Sequence, residues 1–471
     1  MQFSKTGIAV QEIRFIAATG ALGAGVHEPS LQAALAHKPH FIASDAGSTD
    51  AGPFYLGSGK AAFARESVKR DASAMLRAAR QLGIPVLIGS VGTAGGDIQV
   101  DWMMEIVSEI IAEHGWSLNV AVIRSEQDTG FLQALLREGR IRPLNPAPPV
   151  DAELLGRSRV VGMMGVEPLQ AAIAAGADVV IAGRCSDPAL YAAIPIMQGF
   201  PEGLAWHAGK AAECGTLVCE TMGRGVVVGI VRQEEAVLMP VGEGLRCTPQ
   251  SVAAHSLYEN GDPYLHKECS GTLDLSRCGF EQVSDVAVRI TGSQFHRADA
   301  YTVKLEGAEL VGYQTIMVGG VRDPYILRQL DRWLADINGY IAAKVEEVLG
   351  VRLGEDGCAL HMHVYGRDAV MGALEKERTT PKEVGIVVEA TAPTQELATK
   401  IVKLSRQPLL HYPIPEWKGA ITGFACLHNP AEIERGPVYR FSLNHVAVPT
   451  PDEQMFRMEL RRLGARVEET A

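Results

Sequence analysis

The chain has 471 residues, 47% apolar and 21% charged, with a formal net charge of −11. That length exceeds what one hydrophobic core organises, so two domains are expected, and the near-average composition excludes a disordered chain. The dispersed negative excess disfavours nucleic acid or an anionic membrane as partner.

No apolar run reaches spanning length and the first residues lack the zones of a secretory signal, so a soluble, cytoplasmic protein is expected. Eight cysteines at irregular intervals, without a Cys-x-x-Cys pair, indicate neither a zinc knuckle nor a disulfide framework. In chain order, strand-like apolar runs at 13–18, 40–44, 86–90, 118–123, 159–164, 178–182 and 226–231 alternate with helical spacing over 60–82, 100–114, 131–138, 168–175 and 188–197. This alternation predicts an α/β domain built on a parallel sheet with helices on both faces. The proline-rich stretch 143–150 reads as an extended connection.

Alternation lapses between 248 and 277, which sets expected domains at 1–275 and 276–471, the second a smaller α+β domain. Its expected strands are 285–291, 300–305, 312–318, 359–365, 384–389, 420–426 and 438–446. Its expected helices are 324–349, with Asp323 as N-cap and Pro324 at the first helical position, and 395–404, with Thr394 as N-cap.

Three of the early runs end in loops that mix glycine with carboxylate, and the carboxyl ends of parallel strands gather on one edge. The first loop carries Asp45, Ser48, Thr49 and Asp50 among four glycines, equipment for a polar ligand or a cation. In the second, Thr93, Gly95, Gly96 and Asp97 lead into a helix whose first N–H groups suit an anion. In the third, Arg184 follows a buried strand and needs a carboxylate or phosphate partner, supplied by substrate or by Asp187. Glu213, in an otherwise apolar stretch, is a candidate acid or base, and Cys214 beside it reads as structural. The pair His361 and His363 lacks a third ligand, and His266-Lys267-Glu268, which could close over the crevice, reads rather as a solvated turn.

Gly176–Leu190, Ala211–Gly215, Cys247–Glu259 and Asp262–Tyr264, in that order and spacing, resemble the acyclic terpene utilisation AtuA family over roughly the first three hundred residues. The resemblance implies a soluble catabolic protein from a cluster that degrades acyclic terpenes through acyl-CoA intermediates. Arg184, Asp187, Glu213, Cys214 and Gly215 occupy the matching positions, whereas the loop 45–50 departs from the family pattern and argues against a terpenoid substrate.

The resulting expectation is a catabolic enzyme acting on a small carboxylate or acyl-CoA, most plausibly a hydratase or lyase. Asp45, Asp50, Asp187 and Glu213 are its candidate catalytic groups. Ser48, Thr49, Thr93, Gly95, Gly96, Asp97 and Arg184 are its candidate binding groups, with Arg184 and the Gly95-Gly96 amides as an anion clamp. No cofactor or metal site is assigned; a hydrolase using Mg²⁺ at Asp45, Asp50 and Asp97, a CoA transferase using Glu213, and a noncatalytic subunit with a small partner protein are the alternatives. A homo-oligomer is expected.

Overall fold

Ile13–Ala17, Phe41–Asp45, Val86–Gly89, Val179–Ala182 and Leu118–Arg124 lie side by side in that order, each parallel to its neighbour, in the middle of a ten-stranded sheet. The computed structural model that shows this describes residues 11–377 and 379–464. Alternate side chains of a strand point to opposite faces, and here both directions are apolar. Phe15, Phe41, Leu87 and Val180 join a core containing helices Val166–Ala174, Ala189–Met197 and Glu202–Ala212. Ile16, Ile42, Ile88 and Ile181 join another, containing helices Glu28–Ala34, Arg65–Leu82 and Asp97–Glu113.

The chain is thus a mixed α/β protein, but the sheet is not parallel throughout. Val226–Val231 runs antiparallel to Ile13–Ala17 and turns back at Arg232–Glu235 into Ala236–Val241; so short a connection permits only antiparallel pairing. Ala236–Val241 escapes the sequence reading because it contains Pro240, a residue that argues against a paired strand. Val288–Thr291 and Gly279–Gln282 extend this edge, and Arg457–Leu463 closes the other, antiparallel to Leu118–Arg124.

The run expected at 159–164 is strand Ser158–Gly162, and it belongs elsewhere, antiparallel to residues 305–309. Ser158 and Arg159 stay half exposed while Val160, Val161 and Gly162 are buried, a pattern unsuited to a strand covered on both sides.

Among the described residues the chain divides into two units: one runs to Glu309 and takes up again at Phe441, and the other is Leu310–Arg440. Residues 276–309 fall in the first unit rather than the second because Gly279–Gln282 and Val288–Thr291 pair into its large sheet. In the smaller unit, residues 313–321 pair antiparallel with Val384–Ala392, which pairs with Ala359–Tyr365. Its core gathers Met317, Trp333, Ile337, Val388 and Ile401 from strands and helices. The two strands expected at 300–305 and 312–318 are one strand, Val303–Val321, and the helix expected at 324–349 is two, Pro324–Arg328 and Leu330–Leu349, separated by Gln329 at φ −126°. Asp323 and Thr394 cap their helices, Asp323 accepting from Tyr325 N at 2.7 Å and Thr394 from Leu397 N at 3.3 Å.

Candidate active site

Three neighbouring parallel strands, Phe41–Asp45, Val86–Gly89 and Val179–Ala182, carry the three glycine and carboxylate loops, which pack on one another through their backbones. Ala46 N donates to Gly89 O at 2.9 Å and Ser90 N to Gly183 O at 2.9 Å. The approach is closest at Gly95, where φ is +68° and an added Cβ would stand 2.1 Å from Arg184 N. Only glycine fits both the backbone conformation and the space. The Ser125 hydroxyl clasps the same crossing, accepting from Arg184 N at 2.6 Å and donating to Gly95 O at 2.8 Å.

Beside the third loop lies a cavity of about 450 Å³ whose polar lining includes Asp50, Asp187, Lys210, Glu213, Glu268 and Lys304. Lys210 and Glu213 come from the end of helix Glu202–Ala212 and just beyond it, Glu268 from strand Leu265–Glu268, and Lys304 from strand Val303–Val321. Arg184 also reaches this wall, but its guanidinium is already engaged. Nε donates to Glu306 Oε2 at 2.8 Å, and Nη1 donates to Ser90 Oγ at 3.1 Å, Cys185 O at 3.0 Å and Asp187 Oδ1 at 3.3 Å. Lys304 Nζ stands 3.0 Å from the other oxygen of Glu306. Burial opposes the charge on Glu306, yet Arg184 and then Lys304 hold its carboxyl at about 2.

Three carboxyls of the lining, Asp187, Glu213 and Glu268, move the opposite way. Burial raises Asp187 to about 6, with Arg184 and Lys210 pulling against it. Burial raises Glu213 to about 8, although Lys210 donates to its Oε1 at 2.6 Å. Burial also raises Glu268 to about 8, although Ser186 Oγ donates to its Oε2 at 2.8 Å. His266 lines the same cavity with both ring nitrogens buried and unpartnered, and burial together with Lys210 lowers it to about 4. At neutral pH, therefore, Asp187 is ionised while Glu213, Glu268 and the His266 imidazole are held neutral.

Asp45 does not line the cavity. It is buried, one oxygen accepting from Gly47 N at 2.9 Å and the other unpartnered, and burial with the Asp187 charge raises it well above the ordinary carboxyl range. Asp50 is exposed at the cavity wall and accepts from Ser48 Oγ at 2.8 Å; Thr49 is buried in the same turn.

The second loop is closed to a ligand, contrary to the anion clamp expected of it. Gly95 N donates to Val91 O, Gly96 N to Gln99 Oε1 at 2.8 Å, and Asp97 N to Glu126 Oε2 at 2.9 Å, so these N–H groups are spent inside the protein. Thr93 Oγ1 accepts from Ala62 N, and Asp97 pairs with Arg457 at 2.9 Å. Arg184, the other half of that clamp, is held by Glu306 and Asp187. Among the described residues, the ligand-type atoms that gather within 4.8 Å are those of Glu213, Cys214 and His255; Asp45, Asp50 and Asp97 form no such group. His363 faces Glu389 at 3.6 Å on the sheet of the smaller unit.

Sequence reasoning misses Glu268, Glu306, Lys210 and Lys304. His266-Lys267-Glu268, read as a solvated turn, is instead a strand paired with Gly271–Asp274, and it buries His266 and half-buries Glu268. The alternation of buried His266 with exposed Lys267 was the available signal.

The fold and the cavity together define an α/β protein with an acid-rich pocket at the carboxyl ends of parallel strands. The model of the acyclic terpene utilisation family protein AtuA matches residues 58–419, and the chain belongs to that family. The match runs beyond the three hundred residues that carry the sequence resemblance, and it leaves out the loop 45–50, the part expected to depart from the family. Comparison with curated proteins and with solved structures returns no match. Among the described residues no helix is long and apolar enough to cross a membrane.

Proposed function

We propose that this chain is a general acid–base enzyme of the hydratase–lyase type, acting on a small carboxylate or on the acyl end of a CoA thioester. What supports the reading most is that Asp187 and Glu268, from separate segments, share one cavity with Lys210 and are pushed to different values, about 6 and about 8. Paired carboxyls with separated pKa values supply a base and an acid at the same pH.

In this mechanism ionised Asp187 takes the proton from the carbon next to the substrate carbonyl. Neutral Glu268 protonates the hydroxyl on the adjacent carbon, which leaves as water with the C–O bonding electrons while the C=C bond forms. Lys210, oriented by Glu213, and Lys304 hold the substrate's negative oxygen, a task that Arg184 cannot take while Glu306 and Asp187 engage it. A cavity of about 450 Å³ suits a small acid or an acyl group.

A thermal-shift screen of hydroxy acids, enoic acids and their CoA thioesters tests the reading, with turnover of each hit followed through the absorbance of the conjugated double bond. A ligand at 100 times its Kd adds about 2.7 kcal/mol to stability, so at least one class is expected to raise Tm by degrees and to be turned over. No shift with any acid or thioester contradicts the proposal.

A further inference from the structure

Glu213, Cys214 and His255 bring an oxygen, a sulfur and a ring nitrogen within 4.8 Å of one another from two segments: the end of helix Glu202–Ala212 and the helix Pro249–Ser256. The donors are poised rather than consumed. Glu213 Oε2 and His255 Nε2 are both buried without a hydrogen-bond partner, in residues only 4% and 8% exposed. Buried polar atoms are otherwise almost always paired, so two orphans within one cluster of three donor residues call for an explanation. The geometry points to a divalent ion of the zinc class bound by Glu213, Cys214 and His255.

The donor set selects the metal. A sulfur and an imidazole beside a single carboxylate favour a borderline ion such as Zn²⁺ over Mg²⁺ or Ca²⁺, which take oxygen ligands. Zinc bonds of about 2.0–2.3 Å place tetrahedral ligand atoms roughly 3.5 Å apart, so atoms already within 4.8 Å of one another need only a small closing movement on loading. Three protein ligands leave a fourth position open, the pattern of a reactive zinc rather than a structural one. Glu213 also lines the cavity, which brings that position within reach of a small ligand.

Lys210 opposes the ion by its charge, but it occupies the other Glu213 oxygen, at 2.6 Å, as an outer partner that fixes the carboxylate. Asp187, on the same cavity, supplies compensating negative charge. A metal here would polarise a substrate carbonyl as a Lewis acid, yet the site is argued from its own donors and does not depend on the hydratase–lyase reading.

Cobalt(II) titration of the chelator-treated full chain tests the inference without any turnover. The expected result is one equivalent bound with a thiolate-to-cobalt charge-transfer band. Cys214→Ser should abolish the band, and His255→Gln and Glu213→Gln should weaken binding by more than about 100-fold, beyond the cost of losing an outer partner. Cys358→Ser, in the other unit, should change nothing. If Cys214→Ser does not fold, X-ray absorption of the zinc-loaded wild-type chain decides: one sulfur at about 2.3 Å supports the site, and an all nitrogen and oxygen shell overturns it. Absence of the band from the wild type, or its persistence in a folded Cys214→Ser variant, also overturns it.

Discussion

Replacing Arg184 by methionine is expected to lower the stability of the protein by about 3 kcal/mol, the lower end of what breaking a buried ion pair costs. Arg184 is 6% exposed and bridges Glu306 at 2.8 Å and Asp187 at 3.3 Å. Without it, Glu306 is left buried beside Lys304 alone, which is why the lower figure applies. Chemical denaturation reads the loss as a lower midpoint, and combining it with Glu306→Gln should recover part of it because the stranded charge disappears. The pH dependence has a definite sign. Glu306 is depressed from 4.5 to about 2, so its contribution is fully present above 4.5 and is lost as pH falls toward 2. That acid-side loss should shrink in the methionine variant. A loss under about 1 kcal/mol would mean that the network is solvated rather than buried.

Asp187→Asn is expected to reduce kcat by about 10²–10⁴-fold on any substrate the chain turns over, the range for removing a positioned general base. Asparagine keeps the shape and can still meet Arg184, so the effect should fall on kcat more than on KM. With Asp187 near 6 and Glu268 near 8, kcat/KM should rise through about 6, where the base ionises, and fall above about 8, where the acid loses its proton. Glu268→Gln should remove the alkaline limb and leave the acid limb in place. A flat profile between 5 and 9, or an asparagine variant within threefold of the parent, would contradict the assignment.

The parallel centre of the sheet is legible because its five strands are short apolar runs, three of them followed by loops that mix glycine with carboxylate, a local signal that needs no partner to be read. Arg184 is legible for the same reason, as a lone cation after a buried strand. Its main partner is not: Glu306 lies 122 residues on, and a pairing at that separation leaves no trace in a single sequence. The second loop misleads because exposed N–H groups at a helix start look like an anion site, whereas Gln99, three residues after Gly96, already signals an internal cap. Glu268 is hidden by the polarity of its neighbours, since Leu265–Glu268 is a short strand buried at His266 and half-buried at Glu268 but exposed at Lys267.

The central claim is that one cavity holds two carboxyls apart in titration, and it can be read without a substrate. Infrared titration of the carboxyl C=O stretch, with Asp187→Asn and Glu268→Gln used for assignment, measures it directly. The expected result is one band lost near pH 6 in the parent and absent from the asparagine variant, and intensity persisting at pH 7 and lost near 8, of which the glutamine variant lacks the Glu268 share and keeps that of Glu213. If both groups titrate together near 4, the cavity does not separate acid from base and the account is wrong.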